Sequence, residues 1–168
     1  MNTKTLIIII ALAVIGLGGL IWWGKSVQEN NPSVLGTTNN SQSSLTTSEK
    51  VYDFGTISMK NGKVEKIFKV TNSSNQDATI DSVLTSCMCT VAYLESPDGE
   101  KGPFGMAGHG LVPKANEIIK AGETRDIKVV YDPNAHGPAG VGNIDRFITL
   151  TEKNGAKFYF EITAVVTP

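Results

Sequence analysis

The feature that most constrains this chain is an uncharged, apolar run from Leu6 to Trp23. A helix over this run would be about 27 Å long, close to the thickness of a bilayer's hydrocarbon core. The run ends in two tryptophans, which favour the lipid–water interface, whereas a cleavable signal sequence, the alternative, needs small residues there. We therefore predict a retained membrane anchor over residues 1–25, with a single transmembrane helix at about 6–23.

Charges around this run indicate which side of the membrane the rest of the chain occupies. Lys4 precedes the run and Lys25 follows it, a small bias that favours a cytoplasmic N-terminus. The remainder is then predicted to lie outside the cytoplasm, on the periplasmic or cell-surface side of the cell membrane. With 15 basic and 16 acidic residues, the chain has no electrostatic case for a nucleic-acid partner. The sequence leaves the oligomeric state open.

Two further regions follow the predicted anchor. Residues 26–50 are rich in Ser, Thr, Asn and Gln and poor in apolar side chains, so we predict a flexible linker. From residue 51 onward, short runs of β-formers are separated by turn signals such as Asn61-Gly62 and Asn154-Gly155. Strands are predicted at 51–57, 64–70, 78–85, 124–131, 144–150 and 158–166.

These strands define the predicted fold class. It is mostly β: an antiparallel immunoglobulin-like β-sandwich over residues 51–168, preceded by one N-terminal transmembrane helix. A glycine-rich segment from Glu95 to about Glu117 is too long for an ordinary connection, and we predict a functional or mobile loop there.

The chain has two cysteines, Cys87 and Cys89, which follow the predicted strand 78–85. Residues two apart on a strand share a face, so the two thiols are predicted to lie side by side, with Met88 on the opposite, core-facing side. A disulfide between them would be strained, because two strand residues span roughly 6.6 Å. The pair can form a metal chelate, a redox couple, a strained structural disulfide or two packed thiols, and the sequence leaves these open.

Other soft ligands lie in glycine-rich loops: Met106, His109 and His136. Thiolate and thioether sulfur favour Cu(I), and thiolate with imidazole also suits Zn(II). We predict a metal site made by Cys87 and Cys89 with His109, and with Met106 or His136 as further ligands; Cu(I) is favoured over Zn(II). His136 alternatively hydrogen-bonds only its own loop.

Several stretches together resemble a known bacterial family. They are Val51-Tyr52-Asp53-Phe54-Gly55, Ser86-Cys87-Met88-Cys89-Thr90, Ala121-Gly122-Glu123 with the strand after it, and Tyr131-Asp132-Pro133. The family is that of domains of unknown function 1573, a Hydin-type immunoglobulin-like module that is usually exported and has no established activity. Its members typically carry glycine where this chain has Met88, and a shorter connection where this chain has residues 102–110.

A looser architectural likeness is to the copper-delivery factors of the CtaG/Cox-eleven type. These also join one membrane helix to an immunoglobulin-like domain with a Cys-x-Cys motif, and the matching positions here are Cys87 and Cys89 only. The likeness implies metal handling by analogy of chemistry.

No local signature of catalysis occurs in the sequence, which lacks a P-loop, G-x-S-x-G, H-E-x-x-H and a dinucleotide fingerprint. We therefore predict a protein that is not an enzyme. The predicted function is metal handling, or delivery of a metal to a protein of the cell envelope, by an anchored extracytoplasmic domain. The alternative is an interaction or scaffold module whose cysteines are structural, and a thiol-redox protein is a third hypothesis.

Overall fold

The computed structural model describes residues 42–168. This part of the chain forms ten strands and two short 3-10 helices, at Met59–Asn61 and Gly137–Gly140, and contains no α-helix. The strands are β1 (Leu45–Thr46), β2 (Val51–Ser58), β3 (Val64–Asn72), β4 (Ala78–Thr85), β5 (Thr90–Ser96), β6 (Gly99–Phe104), β7 (Glu117–Ile119), β8 (Thr124–Tyr131), β9 (Gly142–Glu152) and β10 (Lys157–Thr167).

The mostly-β prediction is confirmed, and each of the six predicted strands is present. Within residues 42–168, no helix is long and apolar enough to cross a bilayer. The predicted anchor, residues 1–25, and residues 26–41 of the predicted linker lie outside the described residues and stay predictions.

The strands form two five-stranded sheets. Sheet A has the order β1-β3-β8-β5-β6, and sheet B has the order β2-β10-β9-β4-β7. Buried and more exposed residues alternate along β9 and β10, so one face of each strand is apolar and packs inward. Between the sheets, Phe68 of β3 stacks on Phe160 of β10, with ring centroids 4.5 Å apart. The two sheets are therefore held as a β-sandwich by an apolar core.

A buried ion-pair cluster adds a polar contact between the sheets. Glu117 of β7, in sheet B, is paired with Lys101 of β6 and Arg125 of β8, both in sheet A. Both N···O distances are 2.8 Å, and the Glu117 side chain is only 5% exposed. This carboxylate joins the two sheets beside the short strand β7.

The predicted linker and the folded domain overlap. Leu45 in β1 is buried, and β1 pairs with the end of β3. The buried carboxylate of Glu152 accepts hydrogen bonds from the hydroxyls of Ser43 and Ser44, both at 2.6 Å, and from the Ser44 N–H at 3.1 Å. Residues 43–50 therefore lie in the folded domain rather than in a flexible linker, because their polar groups find a partner far away in the sequence.

The expectation of a fully antiparallel sandwich is wrong for one strand pair. β2 runs parallel to β10, with a register shift between Thr163 and Val165. Alternating apolar residues predict a strand but carry no information about its direction. Since β2 and β10 are not joined by a hairpin, nothing in the local sequence sets their relative orientation.

The predicted long loop at 95–117 is also partly wrong. β6 folds back on β5 as a hairpin in which Ser96 pairs with Gly99, and Glu117 begins β7. Gly102 has a φ of 131°, and a Cβ there would lie 3.0 Å from the Ala92 carbonyl oxygen. Of the glycines that indicated a loop, Gly102 instead allows β6 to approach β5 closely.

Candidate metal centre

The two cysteines lie in a tight turn, not on a strand. β4 of sheet B ends at Thr85, β5 of sheet A begins at Thr90, and the turn between them crosses from one sheet to the other. The Thr85 hydroxyl shares its single hydrogen between the Cys87 carbonyl, at 3.1 Å, and the Thr90 carbonyl, at 2.9 Å. The Thr90 N–H donates to the Cys87 carbonyl at 3.1 Å. These bonds fix the turn from its first residue to its last.

The prediction of thiols on one strand face is therefore wrong, although the turn still brings the two sulfurs together. The Cys89 N–H donates to Cys87 Sγ at 3.4 Å. Met88 is 50% exposed, so its predicted place in the core is wrong as well. A turn does not impose the alternation of a strand, and the side chain between the cysteines points to solvent instead.

His136 completes a group of three possible metal ligands. Its Nε2 lies 3.1 Å from Cys87 Sγ, and the ligand atoms of Cys87, Cys89 and His136 all lie within 4.8 Å of one another. Cys89 is buried, Cys87 is partly buried and His136 is exposed. Both cysteines are free thiols. The group is thus buried on the side of Cys89 and open to solvent on the side of His136.

The loop between β8 and β9 places His136 at this position. The Asp132 N–H donates to the Cys89 carbonyl at 2.8 Å, which ties the start of the loop to the cysteine turn. The Asp132 carboxylate then accepts from the Asn134 N–H at 2.9 Å, and the Asn134 side chain donates to the Met59 carbonyl at 2.8 Å. These bonds hold the chain just before His136, whose imidazole lies against Cys87.

A cation also contacts the group. Arg146 of β9 donates from Nε to Cys89 Sγ at 3.1 Å, and its Nη1 donates to the Asp145 carbonyl at 2.7 Å. The guanidinium is half-buried. Among residues 42–168 it forms no ion pair with a carboxylate. Within the described part of the chain, the acidic group that it contacts is the Cys89 thiol.

The surroundings of the two thiols separate their acidities. Burial opposes ionisation of Cys87, but hydrogen bonds from Cys89 and His136 and the charge of Arg146 outweigh it and lower the pKa to about 7. Burial raises the pKa of Cys89, and its hydrogen bond to Cys87 adds to that effect, while Arg146 acts against it. Cys87 therefore ionises before Cys89, and its thiolate is populated near neutral pH.

The other two predicted ligands, Met106 and His109, lie in the segment that follows β6. His109 is exposed and lies outside the three-residue group; its N–H donates to the Met106 carbonyl at 3.2 Å within its own turn. Met106 forms a parallel bridge with Thr85, so its backbone lies beside the end of β4 that leads into the cysteine turn. The structure thus brings His136, rather than His109, to the two thiols.

Sequence reasoning missed Arg146, although the sequence contains a signal for it. Along β9, the inward-facing positions include Ile144, Ile148 and Leu150, which are buried. Arg146 has the same parity in this alternation. A charged residue at an inward-facing position of a strand needs a specific partner, and here that partner is Cys89.

The comparisons with known proteins concern family and fold. The model of a protein family of unknown function (DUF1573) matches residues 45–104, which confirms the predicted resemblance over that part of the chain. The match contains Cys87 and Cys89 and ends before His136 and Arg146. The Hydin-type and copper-delivery likenesses stay predictions. No curated protein matches the chain.

Two solved structures share the fold at low sequence identity. A protein of unknown function from Porphyromonas gingivalis W83 is 13% identical with a TM-score of 0.53, over 72% of this chain and 46% of that one. The VesB protease of Vibrio cholerae is 14% identical with a TM-score of 0.51, over 73% of this chain and 32% of that one. This chain thus aligns with less than half the length of either protein, and the likeness is one of fold alone.

Proposed function

We propose that this chain is a membrane-anchored, extracytoplasmic, immunoglobulin-like domain that binds a soft metal ion, Cu(I) in preference to Zn(II), for metal handling or delivery to an envelope protein. The observation that carries the proposal is the cluster of Cys87, Cys89 and His136, whose ligand atoms lie within 4.8 Å of one another. Here His136 takes the place of His109 as the third ligand. The anchor and the extracytoplasmic location are supported by the apolar run at 6–23.

The chemistry of the cluster supports a soft ion. Two thiolates and one imidazole are ligands that Cu(I) and Zn(II) both accept, but structural zinc sites almost always have four ligands. Within the described residues, the group of Cys, His, Asp and Glu side chains close enough to share one ion has three members and includes no carboxylate. Three soft ligands therefore suit Cu(I) better than a structural zinc ion.

The exposure of the cluster supports handling rather than permanent storage. Cys89 is 2% exposed, whereas His136 is an exposed side chain on a surface loop. An ion held there would be shielded from below by the core and reachable from solvent on the imidazole side. A partner protein can approach from that side and exchange ligands one at a time.

Metal binding to the reduced, full-length chain tests the proposal. Cu(I) should bind at one equivalent and protect both thiols from alkylation, and a Cys87→Ser, Cys89→Ser double variant should lose this site. His136→Ala should weaken Cu(I) binding by at least about tenfold, the lower end of what even an outer-shell partner of a metal ligand contributes. His109→Ala is the matched control, because His109 is the other histidine of the chain and lies outside the cluster. If the wild-type chain binds no Cu(I), or if both histidine variants behave alike, the proposed site is wrong.

A second candidate function is a thiol-redox role, which the lowered pKa of Cys87 favours because the thiolate is the reactive form. Equilibration in glutathione redox buffers discriminates between the two. A redox protein would cycle between the dithiol and a Cys87–Cys89 disulfide at a potential near that of its compartment. A metal-handling protein would instead keep its thiols protected while the ion is bound.

An interaction module with structural cysteines is the remaining alternative. The observation that favours it is the edge of sheet B, where the three-residue strand β7 carries Ile118 with 54% of its surface exposed. A partner strand can pair with such an edge. On this hypothesis the double cysteine variant would lose stability without any change in metal content.

A further inference from the structure

The half-buried guanidinium of Arg146 is a feature of the cluster that ligand counting does not explain. Metal ligands donate electron pairs, and a guanidinium has none to give, since it is permanently protonated and carries only N–H donors. Yet Arg146 Nε points at Cys89 Sγ from 3.1 Å, on the buried side of the cluster. Its contribution to a metal site must come from its charge and its hydrogen bond.

The charge of Arg146 has to be balanced by the cysteines. No carboxylate within residues 42–168 pairs with this side chain. The guanidinium is half-buried, and it donates to Cys89 Sγ at 3.1 Å. A partly buried cation is stable where a fixed negative charge lies beside it, so the cluster is adapted to carry a net charge of about −1.

We infer that Arg146 makes this metal centre selective for a monovalent soft cation over a divalent one. Two thiolates with one monovalent ion have a net charge of −1, which Arg146 neutralises. The same thiolates with a divalent ion are neutral, and Arg146 is then left as an uncompensated charge beside a second cation. The inference rests on the proposed function, and it assigns to Arg146 a role as a selectivity residue that is not itself a ligand.

The hydrogen bond acts in the same direction. A sulfur that accepts an N–H bond from a cation gives up part of its electron density, which weakens its bond to a metal. A soft monovalent ion loses less from this than a divalent ion, whose binding depends more on the negative charge of its ligands. Arg146 therefore lowers the affinity for divalent ions more than the affinity for monovalent ones.

The experiment compares the affinities of Cu(I) and Zn(II) by chelator competition, on the reduced full-length chain and its variants. Arg146→Gln should lower the Cu(I)-to-Zn(II) affinity ratio by at least about tenfold, since a unit charge within hydrogen-bond distance of a ligand sulfur interacts strongly with an ion at a partly buried site. Arg146→Lys keeps the charge and should retain most of the wild-type ratio. Lys153→Gln is the control, because it removes an exposed positive charge in the hairpin beyond the far end of β9.

The possible results separate the inference from the proposed function. If the wild-type chain binds neither ion, the proposed function fails and the inference falls with it. If it binds Cu(I) and the ratio is the same in Arg146→Gln as in wild type, the site stands and the role of Arg146 is refuted. Arg146→Met is a second neutral variant that keeps an aliphatic stem, and circular dichroism of each variant shows whether the fold is intact. An equal fall in the ratio for Lys153→Gln would also refute the inference, because the effect would then come from overall charge.

Discussion

Alkylation of Cys87 in the metal-free, reduced chain should be half-maximal near pH 7. The pKa of this thiol is lowered from 9.0 to about 7, while burial raises that of Cys89. At pH 7 about half of Cys87 is then thiolate, against about 1% for a thiol of pKa 9.0, a difference of about 50-fold. A less basic thiolate is also a weaker nucleophile, which offsets about eightfold of this over two pKa units. The net expectation is alkylation about sixfold faster than that of an unperturbed cysteine.

The assay is the rate of iodoacetamide labelling from pH 5 to 10, with each cysteine followed by peptide mass spectrometry. Cys87 should be labelled first, with an apparent pKa near 7, and Cys89 only at higher pH. His136→Ala removes one of the hydrogen bonds that lower the pKa of Cys87, so its titration should move upwards, whereas His109→Ala should leave it unchanged. An apparent pKa above 8.5 for Cys87, or equal labelling of both thiols at pH 7, would show that the contacts in the turn do not lower the pKa of Cys87.

Three further predictions concern stability. Glu117→Gln should lower the free energy of unfolding in urea by about 3–5 kcal/mol, because it leaves two cations without their buried partner. Glu123→Gln, at a more exposed carboxylate, should lower it by less than about 1 kcal/mol. Equal losses in the two variants would show that the buried ion pairs of Glu117 do not stabilise the domain. Burial opposes ionisation of Glu117, but its ion pairs lower its pKa below 4.5. The stability that the ionised carboxylate contributes is therefore present above pH 4.5 and is lost as the pH falls through the folded-state pKa. Glu117→Gln should lose stability less steeply in acid than the wild-type chain, and an unchanged dependence of stability on pH would contradict this. Phe160→Ala should lower the free energy of unfolding by about 3–5 kcal/mol, because it opens a cavity between the sheets. Tyr159→Ala, on the outer face, should lower it far less. A small loss for Phe160→Ala would show that the core repacks around the missing ring.

The sequence predicts the long strands well because their signal is local. β9 and β10 alternate apolar and polar residues over eleven positions each, and Asn154-Gly155 marks the hairpin between them. Gly155 has a φ of 87°, a conformation that glycine adopts readily. The two-residue strand β1 has no such pattern. β1 forms because Leu45 packs in the core and because Glu152 accepts hydrogen bonds from the two serines that precede Leu45. Contacts between residues so far apart in the sequence produce no local sequence pattern.

The site is predicted in part for the same reason. Proximity of the two cysteines follows from their spacing alone, whether they lie on a strand or in a turn. The turn itself has no glycine or proline to indicate it, and its shape depends on the Thr85 hydroxyl. The choice of His136 over His109 depends on how the loop after β8 is tied to Cys89 and Met59. These long-range hydrogen bonds cannot be inferred from residue types around either histidine.

The crossing of the chain between the sheets gives the cluster a further property. The turn from β4 to β5 and the loop from β8 to β9 each connect the two sheets, and they meet where Cys87 contacts His136. An ion bound to both connections must be released when the sandwich opens at this end. Without a partner protein that exchanges the ligands one at a time, we expect local opening to be the route by which the ion leaves. The off-rate of the ion should then follow the amide hydrogen-exchange rates of residues at this end, such as Thr85 and Asp132, and slow exchange there would mean a long-lived complex.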